Sequence, residues 1–111
     1  MRLGTVIGRV TMTLQEPVYN GGRVLLVQPL TRADFAALTN SKLKSQTTPK
    51  LANASTLVAY DQLGADIGHI VGFTEGAEAA APFTAAAPVD AYIACIVDQI
   101  DYSPPKAAAK A

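Results

Sequence analysis

Alternation of apolar and polar positions dominates the first thirty residues. Over residues 3–14 (LGTVIGRVTMTL) it predicts a half-buried strand. After a turn at Asn20-Gly21-Gly22, the continuous apolar run RVLLVQPL (23–30) predicts a second strand, buried on both faces and ended by Pro29. The apolar face of the first strand comprises Val6, Gly8, Val10, Met12 and Leu14, and its polar face comprises Arg9, Thr11 and Thr13.

The pattern is lost over residues 31–56, which are polar and rich in Thr, Ser and Lys. Thr31 is a suitable N-cap for a short helix over 32–38, and we expect the rest of the segment to be an extended loop. Beyond it, apolar runs predict two more strands, over 57–61 and 69–74, joined by the glycine-punctuated turn LGADIG.

The most apolar stretch of the chain, PVDAYIACIVDQID (88–101), comes last. Its periodicity fits either one strand over 91–100 or a helical turn over 89–94, capped by Asp90, with a strand at 95–101. We expect the second arrangement. Five short strands predict a mainly β protein, a small five-stranded β-barrel with a short helix, in which the last strand closes against the first.

Length and charge limit the number of domains and the kinds of partner that the protein can have. A chain of 111 residues makes one domain, which we expect over 1–103, with 31–56 as an insert and 104–111 as a flexible tail. A formal net charge of zero argues against nucleic-acid and polybasic membrane partners. The charge is nevertheless split, +5 over residues 1–50 and −7 over 51–105. Either the two halves pair within one fold, or surfaces of opposite sign meet between subunits of a ring.

Candidate chemistry is sparse. His69 is the only histidine and has no nearby His or Cys partner, so no metal-ligand spacing is present and we expect an ordinary strand residue. Cys95, the only cysteine, lies among Ile and Val and is expected to be buried and inert. We therefore expect no catalytic group, metal or cofactor. Residues 1–20 lack an apolar signal core and no run is long enough to span a membrane, so we expect a cytoplasmic protein.

Three blocks, in order along the chain, carry a family resemblance. The first contains Gly4–Val10 and Arg23–Leu30, the second is VAYDQLGADIGHIV (58–71), and the third is PVDAYIACIVDQID. Together they resemble the EutN/CcmL family of bacterial microcompartment vertex proteins. Asp66 stands where that family usually has Gly, and His69 where it often has Asp. The matching residues of the second and third blocks are Asp61, Gly64, Ala65, Gly68, Pro88, Asp90, Ala91, Ile93, Ile96, Val97 and Asp98.

The resemblance implies a non-enzymatic shell protein with an OB-like barrel. Five copies would form a ring that caps a vertex of a polyhedral shell, beside hexameric or trimeric facet proteins. The turn residues Gly64, Ala65, Asp66 and Gly68 are candidates either for a plain hairpin turn or for a contact between copies around the axis. The candidate charges of the subunit interface are Arg2, Arg9, Arg23, Asp98 and Asp101.

Two other functions remain open at the level of sequence. An OB-type oligonucleotide-binding module would need exposed aromatic side chains and a positive groove. A barrel that binds a small ligand, or an enzyme, would show a ligand-dependent rise in melting temperature.

Overall fold

The described part of the chain folds into five strands and one short α-helix. A computed structural model describes residues 1–40, 55–84 and 87–103. Single 3₁₀ turns cover Pro17–Tyr19 and Gly76–Ala80. The protein is therefore mainly β with one short helix, as the sequence predicts. The longer elements are β1 (Arg2–Val10), β2 (Arg23–Pro29), α1 (Arg32–Asn40), β3 (Leu57–Asp61), β4 (Ile70–Glu75) and β5 (Ala91–Ile96).

The strands close into a barrel in the order β1-β2-β3-β5-β4. Neighbouring strands run antiparallel except β3 and β5, which are parallel and paired at Tyr60 and Tyr92. β1 is closed by β4, with Thr5 opposite Ile70. The prediction that the last strand closes against the first is therefore wrong, because β5 lies between β3 and β4. Each of the five strands has two neighbours, and the barrel leaves none of them at an edge.

The barrel interior is filled by small and medium-sized apolar side chains around Phe73. Gly4 on β1 shows how tightly they pack, since a Cβ atom there would lie 2.5 Å from Cγ1 of Val27 and 3.0 Å from the Phe73 ring. A larger residue would push β1 away from β2. The interior cluster comprises Val6, Leu25, Val27, Ala59, Ala65, Val71, Phe73, Ala91 and Ile93.

A second apolar cluster lies on the other face of β3 and is centred on Tyr60, which is 2% exposed. The rings of Tyr19, Phe83 and Tyr92 have their centroids 5.8, 5.6 and 6.3 Å from that of Tyr60. The Tyr60 hydroxyl donates to the Asn20 carbonyl at 3.3 Å. This cluster attaches the loops before β2 and β5 to the barrel.

Element boundaries differ from the sequence prediction where a strand loses its partner. β1 ends at Val10, opposite Val24, because β2 starts at Arg23 and offers no further partner; Leu14 is consequently 90% exposed. The helix forms as predicted, two residues longer, and its first turn is capped because the Asp34 carboxylate accepts from the backbone N–H and hydroxyl of Thr31. Residues 41–54 of the predicted loop and the tail from 104 lie outside the described residues.

The expected helical turn over 89–94 is wrong, and the alternative of a strand from residue 91 is closer. Ala91 and Ile93 point into the barrel while β5 pairs with β4, so this pairing overrides the local ambiguity. Asp90 consequently caps no helix. β5 ends at Ile96, where β4 begins at Ile70 and the ladder has no further partner.

Candidate functional site

The turn between β3 and β4, residues 62–69, is organised by one buried carboxylate. Asp61 is 1% exposed and ends β3. Its carboxylate accepts hydrogen bonds from the backbone N–H groups of Leu63, Gly64 and Ala65 at 3.0, 3.0 and 2.9 Å. Three charge-assisted bonds from consecutive amides fix the path of the chain after the strand. The sequence signal for this arrangement is an Asp followed three residues later by Gly.

The rest of the turn relies on glycine and on contacts with β1. Gly64 and Gly68 have φ values of +90° and +94°, which other residues rarely adopt. Asp66 does not have a positive φ, so its side chain does not strain the backbone. The N–H of Gly68 donates to the Val6 carbonyl at 2.8 Å, and the Val6 N–H donates to the His69 carbonyl at 2.9 Å. The turn is thereby held against β1.

This anchored turn presents apolar side chains to solvent. Leu63 is 52% exposed and Ile67 is 48% exposed. Asp66 lies between them and accepts from the Ile67 N–H at 2.7 Å. That hydrogen bond, followed by the nearby guanidinium groups of Arg9 and Arg23, lowers the pKa of Asp66. An ordered turn that exposes two large apolar side chains is suited to contact another protein surface; the sequence analysis did not single out either side chain.

The three candidate arginines occupy different settings. Arg2 forms a bidentate pair with Glu75, with Nε–Oε1 and Nη2–Oε2 distances of 2.7 and 3.0 Å, and its guanidinium lies 5.4 Å from the Phe73 ring centre. The hydrogen bond to Arg2 lowers the pKa of Glu75. Arg2 is therefore paired within its own chain. The sequence did not indicate this pair, because Arg2 and Glu75 are 73 positions apart. Arg9 makes a looser contact, with its Nε 3.7 Å from Asp66 Oδ1.

Arg9 and Arg23 border the same surface depression, which we call the arginine hollow. It has a volume of about 370 Å³. Its lining includes Arg9, Thr11, Met12, Gln15, Arg23 and Val24. The structure thus brings together two of the three candidate arginines and separates them from the third.

The candidate acids lie elsewhere. Asp98 and Asp101 are exposed in the segment that follows β5. The Val97 N–H donates to the Ile70 carbonyl at 2.7 Å, and the Tyr102 ring packs 6.0 Å from that of Phe35 on α1. We call residues 97–103 the acidic segment.

The remaining candidate groups take no part in a catalytic constellation among the described residues. His69 precedes β4 and its Nδ1 accepts from the Asp66 N–H at 2.8 Å. Cys95 is half-buried rather than buried as expected, and its Sγ packs against Gly72 on the face of β4 opposite to the interior residues Val71 and Phe73. Within residues 1–40, 55–84 and 87–103, no group of three or more His, Cys, Asp or Glu side chains is placed to hold a metal ion. No helix in the described part of the chain is long and apolar enough to cross a membrane.

The geometry does not favour the oligonucleotide-binding alternative. Base stacking needs aromatic faces that are open to solvent. Here the rings of Tyr60, Phe83 and Tyr92 face one another, with Phe83 and Tyr92 in an edge-to-face arrangement at 5.8 Å. These rings serve packing within the chain.

Fold and surface together define a small OB-like β-barrel protein with an ordered turn that exposes two large apolar side chains. A family model described as "Ethanolamine utilisation protein EutN/carboxysome" matches residues 1–98. The chain therefore belongs to the EutN/CcmL family, as its three sequence blocks indicate. A search of curated proteins gave no match.

Solved structures of similar fold cover nearly the whole chain. The GrpN pentameric microcompartment shell protein from Rhodospirillum rubrum is 28% identical, with a TM-score of 0.68 over 93% of this chain and 100% of that one. CcmL from Gloeobacter violaceus is 28% identical, with a TM-score of 0.63 over 92% and 90%. The pentameric shell protein MSM0273 from the RMM microcompartment is 25% identical, with a TM-score of 0.66 over 95% and 99%.

Proposed function

We propose that this chain is a non-enzymatic shell protein, five copies of which form a ring that caps a vertex of a bacterial microcompartment. The observation that carries the proposal is the family match over residues 1–98, joined to similarity over 93% of the chain with a pentameric shell protein. The proposed location is the shell of a microcompartment in the cytoplasm. The proposed partners are further copies of this chain and the hexameric or trimeric proteins of the adjoining facets.

The barrel has physical features that suit a ring subunit. Because each strand already has two neighbours, contacts between copies must come from side chains and turns. The β3–β4 turn offers Leu63 and Ile67, each about half exposed. Covering the exposed part of both side chains would stabilise each subunit contact by about 1–3 kcal/mol. We propose that Gly64, Ala65, Asp66 and Gly68 form the backbone of this contact, close to the ring axis.

The first experiment is the native mass of the purified chain. The monomer is 11.6 kDa, so light scattering should give about 58 kDa, five times that mass. Replacing the two exposed side chains of the turn, Leu63→Gln with Ile67→Thr, should shift the distribution towards smaller species. Val58→Thr is the matched control, because Val58 is 56% exposed on β3, outside the turn. A wild-type monomer at micromolar concentration would refute the ring.

The vertex role needs an assay with facet proteins. Co-production with hexameric or trimeric facet proteins from the same source should give closed polyhedral particles by electron microscopy, and omission of this chain should leave open or elongated ones. Particles that close equally well without it would refute the vertex role even if the chain forms pentamers.

A further inference from the structure

We propose that the acidic segment of one copy docks into the arginine hollow of the next copy, so that Asp98 and Asp101 face Arg9 and Arg23. This inference rests on the proposed ring and names the surfaces that join its members. The sequence left two interpretations of the uneven charge distribution, pairing within one fold or contact between subunits. This inference favours contact between subunits.

Both surfaces carry charge that is poorly neutralised within the described chain. Within residues 1–40, 55–84 and 87–103, Arg23 has no ion pair, and Arg9 has only the 3.7 Å contact with Asp66. Asp66 is thus the one carboxylate that the two arginines share, since both lower its pKa. In the same parts of the chain Asp98 and Asp101 have no cationic partner, and Asp101 accepts only from the Gln99 amide at 3.1 Å. Arg2, by contrast, already has a bidentate partner in Glu75 and is not needed for this contact.

The two surfaces of one copy are held apart by the barrel. Ile96, two residues before Asp98, lies opposite Val71, which in turn lies opposite Gly4 on β1. Because β5 runs in the same direction as β1, Asp98 lies about level with Val6, and Arg9 is three positions further along β1, from 6 to 9, which is about 10 Å of extended strand. Beyond Asp98 the acidic segment packs on α1 through Tyr102 and Phe35. Neighbouring copies can therefore supply the opposite charge that the acidic segment and the arginine hollow lack within one copy.

The shapes and polarity of the surfaces also agree. The lining of the arginine hollow combines apolar side chains, among them Met12 and Val24, with the two arginines and with Thr11 and Gln15. In the acidic segment Ile100 lies between the two aspartates and is only partly exposed. An apolar residue between two carboxylates complements a hollow that is lined by apolar side chains and two guanidinium groups. Because the two surfaces differ, their contact is head-to-tail, the type that closes into a ring.

Charge reversal tests the contact directly. Arg9→Glu with Arg23→Glu places acid against acid at every subunit contact, and Asp98→Lys with Asp101→Lys places base against base. Each double variant should raise the concentration at which the ring dissociates by at least about tenfold, since like charges across an interface are strongly unfavourable. The quadruple variant reverses both surfaces and should return most of the lost stability.

Mixing the two double variants gives a sharper result, because the proposed ring has an odd number of members. A copy of one double variant attracts a copy of the other at either surface, whereas two copies of the same double variant repel each other. Alternation cannot be completed in a ring of five, so at least one repulsive contact remains. The mixture should therefore form rings that are more stable than those of either double variant and less stable than those of the quadruple variant. Analytical ultracentrifugation at two salt concentrations measures all four samples.

The controls separate this inference from the ring itself. Arg32→Glu with Glu16→Lys reverses two exposed charges outside both surfaces and should leave assembly unchanged. Circular dichroism shows whether each variant is folded. If folded double variants still assemble like the wild type, or the folded quadruple variant stays dissociated, the inference is overturned while the proposed ring stands. A monomeric wild type overturns the ring and this inference together.

Discussion

Removing the Asp61 carboxylate should destabilise the protein more than any exposed substitution. Asp61→Ala leaves three backbone N–H groups without their acceptor, and one of them belongs to Ala65, which is 0% exposed. A buried donor without a partner costs about 1–3 kcal/mol. The donors of Leu63 and Gly64 lie on exposed residues and can turn to water, which reduces their cost to about 0.5–1 kcal/mol each. The expected loss is about 2–5 kcal/mol, the sum of these three costs.

Asp61→Asn refines the test, because the two carboxylate oxygens have different partners. Oδ2 accepts from Gly64 and Ala65, and Oδ1 accepts from Leu63. An asparagine with its carbonyl in the Oδ2 position keeps the first two bonds and turns its own NH₂ towards the Leu63 N–H. We expect a loss of about 1–2 kcal/mol, between wild type and alanine.

Urea denaturation followed by circular dichroism, at a fixed protein concentration, measures both losses. For a domain of this size 3 kcal/mol corresponds to a fall in Tm of at least about 12 °C. Asp90→Ala is the matched control, since Asp90 is exposed and its side chain makes no hydrogen bond within the described residues. It should stay within about 0.5 kcal/mol of wild type. A loss below about 1 kcal/mol for Asp61→Ala would show that the carboxylate does not hold the turn.

Three further substitutions probe the packing, the backbone and the charges. Gly4→Ala should destabilise the fold by about 1–3 kcal/mol, because the new Cβ atom would lie 2.5 Å from Val27 Cγ1; an unchanged denaturation midpoint would contradict this packing. Gly64→Ala meets no atom of its own copy and should lose only about 1 kcal/mol by denaturation, from its φ of +90°; a larger loss would indicate a clash with a neighbouring copy. Arg2 lowers the pKa of Glu75 below its ordinary value of 4.5, so the pair stabilises the protein above that pH and loses this contribution as pH falls through the lowered pKa. Glu75→Gln should therefore be less stable than wild type at pH 7 by at most about 1 kcal/mol, and the difference should vanish in acid; a difference that persists at low pH would contradict the assignment.

The limits of a strand were predictable from the sequence where the apolar pattern and the pairing with a neighbouring strand cover the same residues. The buried run 23–30 and the alternating run 57–61 form strands close to their expected limits, because each pairs along its length. β1 was predicted too long, since period-two alternation continues to Leu14 although the pairing ends at Val10. Alternation reports which side chains can share a face, and it carries no information about where a neighbouring strand begins.

Two features of the candidate site required contacts distant in sequence. The pairing of Arg2 with Glu75 joins residues 73 positions apart, and only the antiparallel register of β1 and β4 brings them together. The placement of β5 between β3 and β4 likewise depends on its parallel pairing with β3, which no local sequence pattern indicates. The Asp61 turn is the opposite case, because its donors follow within four residues and the Asp and Gly that form it are visible in the sequence.

Closure of the barrel limits how copies of this chain can associate. A sheet with free edges can grow by adding a strand from a neighbour, and such growth has no natural end. Here β4 occupies the free side of β1 and β5 fills the remaining gap, so backbone pairing is used up inside each copy. In the contacts we propose, association depends on side chains of the turns and of the acidic segment, where a charge or an apolar group can be placed at one position without changing the barrel. Surfaces of this kind determine the angle between neighbours, and hence the number of copies at which a ring closes.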